Sequence, residues 1–226
     1  MNHFQALLLC FVMLGATTLS RLVASTLVSS WLPGIFIFQG LLVIISLLGL
    51  RYLKVPVLAF IPNQKTLLGL YLFTIGSGIV VGIPVIAIGV FICGAFAEEI
   101  TDRLFLFNAL NQSVNQHFAL LYSSLYFGLT HFSFPFVIAG EEIGYFLYTV
   151  ALGAILGFVY SRLRSVFLVS TFHLYVNVFL SELDLAEPFF YNRELLYTVL
   201  LTAAVAFILI KCKKYLVKGV STSIWT

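Results

Sequence analysis

The chain has 226 residues, of which 61% are hydrophobic and only 9% are charged, and its mean hydropathy is +1.08. Soluble domains are about 45–50% apolar and about 25% charged, so this composition excludes an ordinary soluble domain. The formal net charge is only +3, and no basic patch with interleaved aromatic residues suggests a nucleic-acid partner. We therefore expect an all-α bundle of transmembrane helices in contact with membrane lipid.

Apolar runs separated by polar segments predict about eight membrane-spanning helices in a single domain, residues 1–226. We place them at about residues 4–29, 35–50, 66–93, 96–112, 118–132, 143–160, 165–180 and 195–210. The third run would be about 40 Å long as one helix, longer than the roughly 30 Å hydrocarbon core. We therefore expect it to tilt, to kink at Pro84 or to protrude. Arg21 lies inside the first run, where it is expected to snorkel or to pair within the bundle.

An acidic stretch, 98–103, interrupts the apolar sequence with Glu98, Glu99, Asp102 and Arg103. Each charge costs roughly 2.5–3.5 kcal/mol at the centre of a transmembrane helix on insertion scales, so the cluster predicts a functional site. Because residues four apart share a helix face, Glu99 is expected to pair with Arg103, and Glu98 to face a cavity. Asp102 falls on the Glu98 face. The alternative is an interfacial helix start, where the macrodipole favours acids; either way, the stretch is expected to open the fourth span.

Two of the four histidines, His131 and His173, are embedded in apolar spans, and Asn177 follows His173 by four residues on the same helix face. A buried carboxylate near imidazoles can polarise a water molecule. A histidine and an asparagine side by side can donate hydrogen bonds to a developing oxyanion. The same Glu98, His131 and His173 set could instead bind a divalent metal such as zinc, with a water as a further ligand. The spacing leaves both interpretations open, and with them whether a cofactor is needed at all.

Three motifs occur in order, each in an apolar span: Glu98-Glu99-x-x-x-Arg103, Phe127-x-x-x-His131 and His173-x-x-x-Asn177. Together they resemble the signature motifs of the CPBP intramembrane protease family, which comprises CAAX-type prenyl-protein proteases and bacteriocin-processing enzymes and is also called the Abi family. The resemblance covers a core of about residues 95–180. It departs from the family at Asp102, where an apolar or aromatic residue is more frequent.

The resemblance implies a helical membrane fold with the site enclosed among helices. It implies that Glu98 activates the water with assistance from His131, and that His173 and Asn177 stabilise the oxyanion. Glu99 and Arg103 would support the site. Family members are described both as glutamate-type and as metal-dependent peptidases, so the resemblance does not decide between these two mechanisms.

The expected function is therefore an intramembrane endopeptidase that hydrolyses a peptide bond of a membrane-associated protein or peptide. A non-catalytic membrane immunity or scaffold protein is one alternative. An ion-coupled transporter is another, and it would spread charged residues along a path through several spans. The substrate could be a prenylated CaaX protein or, as we favour, a bacterial leader or sorting-type tail.

Lysines and arginines concentrate in three segments, which alternating spans place on one side of the membrane: 51–65, 161–164 and the tail after residue 210. The connections on the opposite side hold a single basic residue, Arg193. Because positive loops remain in the cytoplasm, we expect both termini to be cytoplasmic in a multi-pass protein, of a bacterial inner membrane. The site would then open toward the non-cytoplasmic half of the bilayer.

Overall fold

The computed structural model describes residues 3–27, 31–55, 58–62, 64–80, 82–131, 140–181, 193–212 and 217–223. Its helices are α1 (His3–Leu27), α2 (Trp31–Tyr52), α3 (Gln64–Val80), α4 (Val85–Glu99), α5 (Asn108–Ser113), α6 (Gln116–His131), α7 (Gly140–Leu163), α8 (Val166–Ser181) and α9 (Arg193–Lys211). Between α4 and α5, Ile100–Phe107 form a π-helix, called the π segment below. The loops expected at 133–142 and 181–194 lie largely outside the described residues.

The predicted helical membrane fold is confirmed. Within the described residues, three helices are long and apolar enough to cross a membrane: His3–Ala24, Pro33–Tyr52 and Gly144–Leu163. Many large apolar side chains on the outside of the bundle are exposed, as suits a surface covered by lipid rather than water. The sequence did not predict the two short strands β1 (Leu58–Pro62) and β2 (Val217–Ser223), which pair antiparallel.

The boundary expected between the third and fourth spans was wrong. Residues 66–93 are not one helix, because α3 ends at Val80 and α4 begins after Pro84. Proline cannot donate a backbone hydrogen bond, and its fixed φ suits a helix start. Gly82, in the break, has a φ of +94°, a conformation open to glycine without steric cost.

The acidic stretch consequently does not open a helix. From Val85 to Ser113, α4, the π segment and α5 run on without a break, since Ile100 and Asn108 at the two junctions keep right-handed helical dihedral angles. Glu98 lies near the middle of this run, about 20 Å along the axis from Val85. The described residues thus form eight helical runs, and the acidic cluster lies near the middle of one of them.

Close packing of α6 on α7 fixes the helix that carries His131. A Cβ atom at Gly153 would lie 3.1 Å from Phe127 Cβ, and one at Gly128 would overlap the Val150 side chain. Small residues of this kind let helix backbones approach within a membrane. The α6–α7 interface therefore sets the position of the last turn of α6.

Candidate active site

The two adjacent glutamates at the end of α4 occupy different environments, as the helical spacing predicted. Glu99 is fully buried, whereas the Glu98 side chain is 32% exposed. Glu98 Oε2 lies 3.7 Å from Nε2 of His131 and also 3.7 Å from Nε2 of His173. The structure thus brings together the three residues expected to surround the reacting water.

Glu99 binds two partners, one with each carboxylate oxygen. Its Oε2 lies 3.3 Å from Nε of Arg103, and its Oε1 accepts a hydrogen bond from Nδ1 of His173 at 3.0 Å. The Arg103 side chain is fully buried and lies over the Phe127 ring, with Cζ 5.4 Å from the ring centroid. The predicted Glu99–Arg103 pair is present, and it also orients the imidazole of His173.

His131 is the last residue of α6, and its ring is oriented by its own helix. Nδ1 lies 2.8 Å from the carbonyl oxygen of Phe127, one turn earlier, so Nδ1–H donates to that carbonyl. The ring also packs on the Phe127 ring at a centroid distance of 4.4 Å. Because the partner of Nδ1 fixes the tautomer, Nε2 of neutral His131 presents its lone pair toward Glu98.

Three hydrogen-bond acceptors therefore converge at the centre of the site. The Nδ1–H group of His173 donates to Glu99, and the Nδ1–H group of His131 donates to the carbonyl of Phe127. In each neutral imidazole the Nε2 atom therefore carries a lone pair, and both Nε2 atoms face Glu98 Oε2. A separation of 3.7 Å is too long for a direct hydrogen bond. Acceptors in this arrangement suit a donor between them, such as a water molecule that can be deprotonated.

The π segment, which the sequence did not reveal, starts immediately after Glu99. Widened helical turns of this type are frequent at functional sites. Ser46 Oγ donates to Thr101 Oγ1 at 3.0 Å near its start, and Asn108 Nδ2 donates to Leu104 O and to Tyr160 Oη just after its end. Asp102 within it is buried. Ser46 lies in α2 and Tyr160 in α7, so two of these three hydrogen bonds tie the segment to residues distant in sequence.

Arg21 pairs within the bundle, which is one of the two outcomes expected for it. Its Nη2 donates to the carbonyl oxygen of Thr130 at 2.5 Å, and its Cζ lies 5.1 Å from the Phe38 ring centroid. The last carbonyls of a helix have no intrahelical donor, and a cation there is favoured by the macrodipole. Arg21 thus ties α1 to the helix end that carries His131, a role that its position in an apolar run did not indicate.

The remaining expected residue, Asn177, lies one turn beyond His173 on α8 and is partly buried. As for a metal, the described residues contain no group of three or more His, Cys, Asp and Glu side chains arranged to hold an ion. Glu98 Oε2 and the two Nε2 atoms nevertheless supply one oxygen and two nitrogens of the type that bind zinc, so these three residues are the ones that would hold a divalent ion.

Residues 79–179 match the family model described as "Type II CAAX prenyl endopeptidase Rce1-like". This segment contains all seven residues named in the three motifs. A protein of Bacillus subtilis (strain 168) named "Putative membrane peptidase YdiL" is 31% identical over 110 residues, which span 49% of this chain and 41% of that relative. The two similarities confirm the resemblance to the CPBP family of membrane proteases that the three motifs predicted.

Proposed function

We propose that this chain is an intramembrane endopeptidase in which Glu98 is the general base. The observation that carries the proposal is the convergence of Nε2 of His131 and of His173 on Glu98 Oε2, inside a bundle of apolar helices. A partly exposed carboxylate between two imidazoles, backed by a buried ion pair, is suited to activating water. The similarity to membrane proteases supports the same class of reaction.

In the proposed first step, a water molecule lies between Glu98 Oε2 and Nε2 of His131. Glu98 takes one proton from this water, and the water oxygen forms a bond to the carbonyl carbon of the substrate peptide bond. The carbonyl π electrons move to the carbonyl oxygen, which becomes the oxyanion of a tetrahedral intermediate. His131 acts by holding the water, since its Nδ1–H is engaged with Phe127.

In the proposed second step, His173 and Asn177 donate hydrogen bonds to the oxyanion. For this role His173 takes up a proton from solvent at Nε2 before the reaction and keeps it through the cycle, while Nδ1–H remains on Glu99. The intermediate then collapses: the carbon–nitrogen bond breaks, and Glu98 returns its proton to the leaving nitrogen. Glu99 and Arg103 act only by orienting His173, because both are fully buried.

The proposed substrate is a membrane-associated protein or peptide, because Glu98 and His173 lie midway along helices of apolar sequence. The matching family model is described as a prenyl endopeptidase, so a prenylated CaaX chain is one candidate. A bacterial leader or sorting-type tail is the other, and it agrees with the similarity to a bacterial protein. We further propose a multi-pass protein of the bacterial inner membrane with both termini in the cytoplasm.

The test uses the purified chain in detergent with two reporters, a farnesylated CaaX peptide and an unprenylated transmembrane peptide, each with a quenched fluorophore. We expect cleavage of one reporter by the parent chain and none by Glu98→Gln, with the melting temperature retained. Activity of Glu98→Gln equal to that of the parent would refute the mechanism.

The same variant separates the alternative functions. An immunity or scaffold protein would keep its cellular phenotype in Glu98→Gln. A transporter would move ions across proteoliposomes without cleaving either reporter.

A further inference from the structure

Helix α2 lies outside the segment that matches the protease family, yet it packs along the helix that carries Glu98. Ser46 hydrogen-bonds to Thr101, and the Phe105 ring packs against the backbone of Gly49. Farther toward the start of α4, the Gln39 side chain contacts Gly94. Residue numbers rise together on both sides of this interface, so α2 and α4 run in the same direction. Helix α2 therefore forms a wall beside the acidic stretch.

Gln39 is the unusual residue of that wall. Its Oε1 atom is buried, and no hydrogen-bond partner lies within reach of it among the described residues. Gly94 makes room for the amide, because a Cβ atom there would lie only 3.0 Å from Gln39 Nε2. Ser46, by contrast, donates its hydroxyl hydrogen and has two oxygen neighbours, Leu42 O and Thr101 Oγ1. One polar residue of the wall is thus satisfied within the bundle and the other is not.

The Gln39 amide contacts α4 at Gly94, one helical turn before Glu98. Gly94 and Glu98 are four residues apart in α4 and therefore share a helix face, about 6 Å apart along the axis. A buried polar group without a partner is costly and calls for an explanation, such as a role in binding. A primary amide carries both an acceptor and donors, which complement the C=O and N–H groups of an extended peptide.

We infer that Gln39 binds the backbone of the peptide substrate one helical turn from Glu98, with Oε1 accepting a hydrogen bond from a substrate N–H group. The inference rests on the proposed peptidase function and assigns α2 a part in it. Since the contact is to the substrate backbone, it holds the substrate peptide in an extended form and does not select among substrate side chains. The substrate thereby replaces the partner that the amide lacks in the free protein.

The test replaces Gln39 with Met, which keeps the length of the side chain and removes the amide. Loss of one hydrogen bond that forms equally in the ground and transition states should raise KM roughly 3- to 10-fold, with kcat unchanged. Because Oε1 has no hydrogen-bond partner among the described residues of the free protein, removal of the amide should leave the melting temperature the same or raise it. The substrate is whichever reporter peptide the parent chain cleaves.

Ser46→Ala is the matched control on the same helix face. It removes a satisfied buried hydroxyl, so the melting temperature should fall while KM stays at the parent value. A fall in melting temperature or a failure to fold for Gln39→Met, or an unchanged KM, would overturn the inference. The proposed function is tested separately by Glu98→Gln: if that variant is inactive while Gln39→Met keeps its KM, only the role of Gln39 fails.

Discussion

Nδ1 of His173 lies 3.0 Å from Oε1 of Glu99, and this contact joins α8 to α4 beside the reacting groups. Because Glu99 also contacts Arg103, the imidazole is held by a carboxylate that has its own cation. His173 consequently presents Nε2 to Glu98, whose side chain is partly exposed. Two neighbouring glutamates thus hold separate positions, one fully buried and one partly exposed.

We expect Glu98→Ala, His131→Ala and His173→Ala each to lower the peptidase rate by at least about 100-fold, as is usual for loss of a general base or of a group that positions it. The folded protein should be retained, because Glu98 and His131 are partly exposed and because Glu99 keeps Arg103 as a partner when the His173 ring is removed. Initial rates on the reporter peptide, with size-exclusion profiles of each variant, give the comparison. Full activity of the purified Glu98→Ala variant would rule out Glu98 as the general base.

Arg103→Ala should act mainly on stability. Removal of one partner of a buried ion pair leaves the other charge uncompensated and costs about 3–5 kcal/mol. The melting temperature in detergent should therefore fall further for Arg103→Ala than for Glu98→Gln, whose carboxylate is partly exposed. Equal melting temperatures for the two variants would contradict the pairing of Glu99 with Arg103.

Gly128→Ala should lower both stability and activity, because a methyl group at this position would overlap Val150 of α7. Overpacking of this kind costs about 1–3 kcal/mol, and displacement of α6 would move His131, three residues later. Gly76→Ala is the control, since a Cβ atom there meets nothing within 4 Å. If both variants melt and react like the parent, the close approach of α6 to α7 does not position the site.

Removal of divalent metal should leave the peptidase rate unchanged. The proposed reaction uses a carboxylate, two imidazoles and an amide, and none of its steps requires a metal ion. Reporter cleavage is measured after dialysis against 1,10-phenanthroline and again after addition of zinc. A loss of activity that zinc restores would mean that Glu98, His131 and His173 act as ligands instead.

Labelling of single cysteines should establish the orientation in the membrane. Gly140 and Ser161 lie near opposite ends of α7, about 32 Å apart along its axis. The native Cys10, Cys93 and Cys212 are first replaced by alanine. The positive-inside rule then predicts that a cysteine at position 140 reacts with an impermeant maleimide in intact cells. Reaction at position 161, with position 140 protected, would reverse the orientation.

The sequence by itself determined the class of protein, the number of helical runs and the pairing of Glu99 with Arg103. Composition indicates whether a chain folds in water or in a lipid bilayer. A spacing of four residues determines which side chains are neighbours on a helix. Both properties are local, so neither requires knowledge of the packing. The motif residues could also be named from their order in the chain.

The sequence named Pro84 as one place for a kink, but only the tertiary structure decided that one helix ends there and another begins, and that the site residues meet. The break falls at Gly82 and Pro84 rather than beside the acidic stretch, so Glu98 lies within a long helix instead of at its start. The contact of His173 with Glu99 joins residues 74 positions apart in the chain, and Gln39 reaches Gly94 from a helix that no motif marks. Such contacts depend on which helix faces pack together, and that choice is made by the whole bundle.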